Sequence, residues 1–156
     1  MKQFGAMLVT VLGLVGIVLG GVFIGIAFQK EAWMRDAAAQ EKVTVGLTEE
    51  QIANGDVVDR QAEMQAAADI IRDHRRSIAP TYNDLLAQAG GRYDPTNAQH
   101  LSYSQALNME NYLYLGVLGY GVTLLTKGIG AALIVFGVAF VVAGFLLFRR
   151  TKTAAA

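Results

Sequence analysis

Asp69, Asp73 and His74 are the one compact group of side chains in this sequence with metal-ligand chemistry. On a helix the two carboxylates stand one turn apart and the imidazole adjoins them. With His100, the only other histidine, they make a candidate set of oxygen and nitrogen donors. A packing role competes with that chemistry. His74 falls three residues after Ile71, on the flank of an apolar stripe, which predicts a hydrogen-bonded packing histidine and no bound metal. Arg72, Arg75 and Arg76 read as solvated helix ion pairs with Asp69 and Asp73. Without cysteine there is no thiol nucleophile, and Ser77, Ser102 and Ser104 lie in no nucleophile elbow. Gly116-Val117-Leu118-Gly119-Tyr120-Gly121 resembles a nucleotide loop only superficially, since no strand precedes it. These residues predict no catalytic site and no cofactor, and hence a protein that is not an enzyme.

The elements that would position these residues follow from charge. All thirteen acidic residues lie between two uncharged apolar stretches, Gly5–Phe28 and Ile129–Phe148. Each stretch is long enough to cross a hydrocarbon core of about 30 Å as a helix. Residues 30–127 carry nine cations against thirteen anions, while the tails carry Lys2, Arg149, Arg150 and Lys152 and no anion. Lys and Arg beside a span favour the cytoplasmic side, so both termini are expected inside and the intervening domain outside. Lys30 and Lys127 flank the spans on the other side, but a long domain translocates largely regardless of charge. The first apolar run, at 24 residues, exceeds the roughly 7–15 of a secretory signal and predicts an uncleaved anchor. With no ionisable group inside either stretch, a stand-alone ion pathway has nothing to use. Net charge zero with no basic patch argues against a nucleic-acid binder.

The expected organisation is therefore a transmembrane helix in 1–29, a helical extracytoplasmic domain in 30–127, a second transmembrane helix in 128–148 and a cytoplasmic tail in 149–156. Helix 1 should run from about Lys2 to Lys42. Thr48-Glu49-Glu50-Gln51 reads as a capping box, and Asn54-Gly55 as a helix end. Val57, Met64, Ile71 and Ile78 recur every seven residues, which predicts an amphipathic helix over about 57–78 that Pro80 stops. Thr81 caps a short helix ending at Gly90-Gly91, and Asp94-Pro95 or Ser102 starts a last helix of more than 45 residues, with a bend expected at Gly128 and Gly130.

Small residues recur every seven positions in both apolar helices: Ala6, Gly13, Gly20 and Ala27 in the first, and Gly116, Thr123, Gly130, Gly137 and Gly144 in the second. In lipid, helix association depends on close backbone approach, which such residues permit. An antiparallel pair is expected to align Gly13 with Gly144, Gly20 with Gly137 and Ala27 with Gly130, with Lys30 level with Lys127. Gly21-x-x-x-Gly25 lies on another face. With Tyr103, Tyr112, Tyr114 and Tyr120 it forms the candidate partner interface.

Glu41-Lys42-Val43, Ala68 to His74, Thr81 to Leu85 and Gly121 to Gly130 together resemble an uncharacterised family of small two-span bacterial membrane proteins with a helical extracytoplasmic domain. The resemblance implies a bacterial cell membrane and no particular mechanism. The sequence thus reads as an all-α membrane protein. Its expected form is an antiparallel two-helix transmembrane hairpin whose long helices extend into a small extracytoplasmic domain. It is expected to serve as a non-catalytic structural or accessory subunit, packing in the lipid bilayer as a homo-oligomer or with other membrane subunits. An extracytoplasmic ligand- or lipid-binding sensor is the alternative, followed by a metal-dependent membrane enzyme.

Overall fold

The computed structural model describes residues 2–153 and is all-helical there, with the side chains of Lys2 and of residues 151–153 outside the description. Ala154–Ala156 of the tail also lie outside the described residues. Five helices follow in order: α1 (Lys2–Gln40), α2 (Glu49–Ala53), α3 (Gln61–Ile78), α4 (Tyr82–Ala87) and α5 (Ala98–Thr153). The chain divides into two compact units. Unit 1 comprises Met1–Glu31 with Val122–Ala156, and unit 2 comprises Ala32–Gly121.

In unit 1, α1 and α5 present apolar side chains outward. Among the described residues, thirteen exposed large apolar side chains lie in 4–28 and thirteen in 122–148. Both helices are long and apolar enough to cross a membrane, and 11% of the apolar window of each is buried, which is unlike the core helix of a soluble protein. What is buried is small. Ala6, Gly13, Gly20, Ala27, Thr123, Gly130, Gly137 and Gly144 are the buried residues of these segments. A Cβ on Gly13 would stand 2.5 Å from the Gly137 carbonyl oxygen, and one on Gly137 would stand 2.6 Å from that of Gly13. Gly20 and Gly130 form a second mutual pair, at 2.5 and 2.7 Å. Gly144 packs on Thr10 and Ala6. Contact positions on α5 fall as those on α1 rise, so the segments run antiparallel.

The pairing corrects the expected register by one heptad. Gly13 meets Gly137 rather than Gly144, and Gly20 meets Gly130 rather than Gly137. The expected register set Lys30 level with Lys127, two like charges. Instead, Lys127 is paired with Glu31 and its ammonium lies 4.2 Å from the centre of the Phe28 ring. Gly116 leaves the stripe altogether: it belongs to unit 2, where a Cβ would collide with the Met64 sulfur. α5 is a single continuous helix through Gly128 and Gly130.

Unit 2 is built by local signals. α1 ends in a turn in which Lys42 adopts a left-handed φ of 51°. The Thr48–Gln51 capping box forms as expected. α3 begins at Gln61, four residues after Val57, because Glu63 reaches back to accept from the backbone N–H groups of Asp59 and Arg60 and fixes the start there. Ala79 is extended before Pro80 and ends α3. Thr81 and Asp84 form the second capping box, and the left-handed Gly90 and Gly91 turn the chain away from α4. α5 starts at Ala98 rather than at Asp94. Asn97 Oδ1 accepts from the Gln99 N–H at 2.9 Å, while Asp94 spends its carboxylate on Thr96.

The main core joins Ala38 of α1, Val43 and Val58 of the connectors, Met64, Ala67 and Ala68 of α3, and Leu113 and Tyr120 of α5. Gly116 and Gly119 are notches in α5 that receive the sulfurs of Met64 and Met34. A second cluster gathers Ala79, Leu85 and Tyr103.

Gly20→Leu and Gly137→Leu are expected to lower thermal stability in detergent by at least about 1–3 kcal/mol, the usual cost of overpacking. Gly21→Leu, whose Cβ would meet nothing within 4 Å, is expected to be near neutral. Thermal melts of the three variants check this, and an equal loss in Gly21→Leu would contradict the packing.

Candidate functional site

The polar chemistry of unit 2 concentrates where α3 meets α5. Arg75 and Glu110 are 8% and 7% exposed, and they pair through Arg75 Nε to Glu110 Oε2 at 2.6 Å and Arg75 Nη2 to Oε1 at 3.4 Å. Arg75 Nη1 also donates to the Tyr103 hydroxyl at 2.6 Å, and Tyr103 is 1% exposed. The forked guanidinium thus meets a carboxylate on two atoms and a phenol on the third. The hydrogen bond to Glu110 holds the Arg75 pKa above its ordinary value, against the opposing effect of burial.

Nearer the middle of α3 the pattern repeats with more solvent. The Tyr114 hydroxyl donates to Asp69 Oδ1 at 2.7 Å and accepts from Arg72 Nη1 at 3.0 Å. Gln65 Nε2 donates to Asp69 Oδ2 at 3.1 Å, and Arg72 pairs with Asp69 at 2.8 Å. The Tyr114 hydrogen bond, then that of Gln65, pulls the Asp69 carboxyl below its ordinary 3.8, and the same carboxylate raises the Tyr114 phenol. Farther along α5, the Tyr120 hydroxyl donates to the Asp59 carbonyl oxygen, just before the start of α3.

The candidate metal residues are therefore already engaged or turned away. Asp69 serves Tyr114, Gln65 and Arg72. Asp73 is mostly exposed and takes Arg72 Nε at 3.3 Å. His74 is exposed, which corrects the packing role expected for it. Its carbonyl oxygen accepts from Ser77 Oγ at 2.6 Å. Among the described residues no three of His, Cys, Asp and Glu are grouped to hold a metal ion.

The packing histidine is His100 instead. It is 1% exposed, stacks on Tyr93 at 5.4 Å between centroids, and accepts the Asp94 N–H on Nδ1 at 2.9 Å. An accepting Nδ1 puts the proton of the neutral ring on Nε2, a buried donor without a protein partner.

The tyrosines do not share one surface. Tyr103 and Tyr120 are buried and Tyr114 is half-buried, each bonded inward, because α5 packs its domain half against α3 and the connectors. Of the four, Tyr112 is the exposed one. It borders a shallow groove of about 410 Å³ lined by Glu41, Val43, Gln105, Asn108, Met109 and Tyr112. Burial first, then the Glu41 charge, raises the Tyr112 phenol. Gly21 and Gly25 stand open, with nothing within 4 Å of either added Cβ. Sequence reasoning missed Glu110. Its signal was its position seven residues after Tyr103 on an otherwise uncharged helical stretch, a spacing that puts both on one face. No family model, curated protein or solved structure matches the chain.

Two outcomes are expected. Glu110→Leu strands a buried guanidinium and should destabilise unit 2 by about 3–5 kcal/mol, whereas Arg75→Met combined with Glu110→Leu should recover at least half of that. Protection of α3 amides in hydrogen exchange reads both, and a double variant as damaged as the single would contradict the ion-pair account. Asp69 has a folded-state pKa below its unfolded one. Its contribution is therefore present above about pH 4 and lost as pH falls through the depressed folded value. Asp69→Asn should flatten the acid loss of α3 protection below pH 4, and an unchanged acid profile would exclude Asp69 as a source.

Proposed function

We propose that this protein is a non-catalytic structural or accessory subunit of a cell membrane. It crosses the bilayer twice as an antiparallel hairpin, with both termini cytoplasmic and the 30–127 domain outside. It acts through helix packing with copies of itself or with other membrane subunits. The observation that carries this reading is the apolar surface of unit 1, thirteen exposed large side chains on each helix, far beyond the patch a soluble monomer leaves bare. Lipid covers such a surface at no cost, and water does not.

The face carrying Gly21 and Gly25 supports a role in assembly. It is open, and it retains small residues that the contact within the chain does not use. The cationic tails support the sidedness. The resemblance to small two-span bacterial membrane proteins supports a bacterial membrane. The groove beside Tyr112 favours a second reading, a sensor that captures a small ligand outside the cell.

A cysteine at Gln65 should react with an impermeant reagent in intact spheroplasts, and one at Thr153 should not. The reverse pattern would overturn the topology. Purification in gentle detergent should yield an oligomer or a copurifying membrane protein. A monomer carrying a small molecule in the Tyr112 groove would favour the sensor instead.

A further inference from the structure

We propose that unit 1 carries a binding site for an anionic phospholipid at the end where α1 begins and α5 finishes. This inference rests on the membrane reading above and adds a specific lipid partner to it. A groove of about 510 Å³ lies there between the helices, within the range of about 300–1,000 Å³ usual for small-molecule sites. Its walls are Phe4, Met7, Val141, Phe145 and Phe148. Of the two polar residues lining it, Gln3 is exposed, and Thr10 donates its hydroxyl to the Ala6 carbonyl oxygen of its own helix at 3.0 Å. A lining of this kind suits a hydrocarbon chain and offers little to a peptide or a sugar.

The groove is shaped by the same packing that sets the helix register. Thr10 and Ala6 receive Gly144, and that close approach lets the larger side chains on either flank stand apart as walls. A groove fixed by backbone contact differs from the shifting surface that bulk lipid meets.

Charge selects the headgroup. The Arg149 guanidinium carbon lies 5.4 Å from the centre of the Phe145 ring, so a cation stands directly over one wall of the groove. Arg150 follows it, and the sequence adds Lys2 and Lys152 with no Asp or Glu in 1–30 or 111–156. A guanidinium binds a phosphate oxygen pair through its planar fork, and basic clusters next to a span attract anionic lipid. A phosphodiester over the arginines and one acyl chain along the phenylalanines satisfy both halves of the site. A zwitterionic lipid carries an ammonium into the same cationic end and fits less well.

Native mass spectrometry of the full chain, released from neutral detergent with equimolar phosphatidylglycerol and phosphatidylcholine of the same acyl chains, tests this. Phosphatidylglycerol adducts are expected to exceed phosphatidylcholine adducts at least about five-fold, which is about 1 kcal/mol at 1.4 kcal/mol per decade. R149Q/R150Q should bring the two to parity while R149K/R150K keeps the preference, with circular dichroism showing unchanged helix content. Met7→Trp puts a bulky ring in the groove and should reduce both adducts. Parity in the native sequence, a preference that survives R149Q/R150Q, or full adducts in Met7→Trp would each overturn the site. Displacement of the lipid by soluble glycerol phosphate would also overturn it, since the arginines alone would then suffice. Recovery of the chain in the membrane fraction separates the two readings. A membrane-bound chain without lipid preference defeats this inference alone, and a chain absent from the membrane fraction defeats the reading beneath it.

Discussion

Contact between two backbones, at Gly13 with Gly137 and Gly20 with Gly130, is the constraint on which unit 1 depends. Helices bathed in lipid gain nothing from excluding water, because the tails around them are as apolar as their own side chains. What remains is dispersion at short range, which falls steeply once a side chain intervenes. An added Cβ at these four positions would stand 2.5 to 2.7 Å from a backbone oxygen, so no larger residue fits without separating the helices. The outward residues of the same helices are large and exposed, as surfaces solvated by lipid are.

Unit 2 is held by different physics. Its large apolar side chains turn inward, and Met64, Leu113, Val58 and Leu85 form cores. Glycine serves there too, but as a notch for a methionine sulfur rather than a backbone seam. The cost of placing Arg75 and Glu110 inside is met by a two-point ion pair and a tyrosine hydroxyl, which satisfies the guanidinium on three nitrogens. Such a pair contributes modest net stability but penalises any slip of α3 along α5 that separates the charges. α1 and α5 contribute to both units, so each of these helices changes its packing chemistry along its length, from glycine seam to methionine notch and ion pair.

How much of this was legible in the sequence depends on the range of the interaction. The apolar stretches and the capping boxes at Thr48 and Thr81 are local, and a single segment declares them. Apart from Gly116, which packs on Met64 in unit 2, the buried positions of unit 1 follow the period of seven that marks one helix face. The register was not, since a heptad pattern slid by seven residues matches itself. The charged ends suggested the wrong choice, because Lys30 opposite Lys127 counts as symmetry on paper and as repulsion in space. Glu31 settles the position of Lys127 instead. The ion pair of Arg75 spans 35 residues and hides within a run of cations, so Arg75 read as solvated. The packing histidine is His100 rather than His74 for a similar reason: the turn at Asp94 that buries His100 is a tertiary feature, whereas the stripe beside His74 is a sequence one.

The central claim is the backbone register in unit 1, and it can be read without altering a side chain. Magic-angle-spinning NMR of the full chain in lipid bilayers, labelled with ¹³C at glycine alone, reports which glycines lie in contact. Cross-peaks are expected between Gly13 and Gly137 and between Gly20 and Gly130. They should persist when labelled chains are diluted into unlabelled ones, since both contacts lie within one chain. Cross-peaks joining Gly13 to Gly144 and Gly20 to Gly137, or contacts that vanish on dilution, would contradict the account.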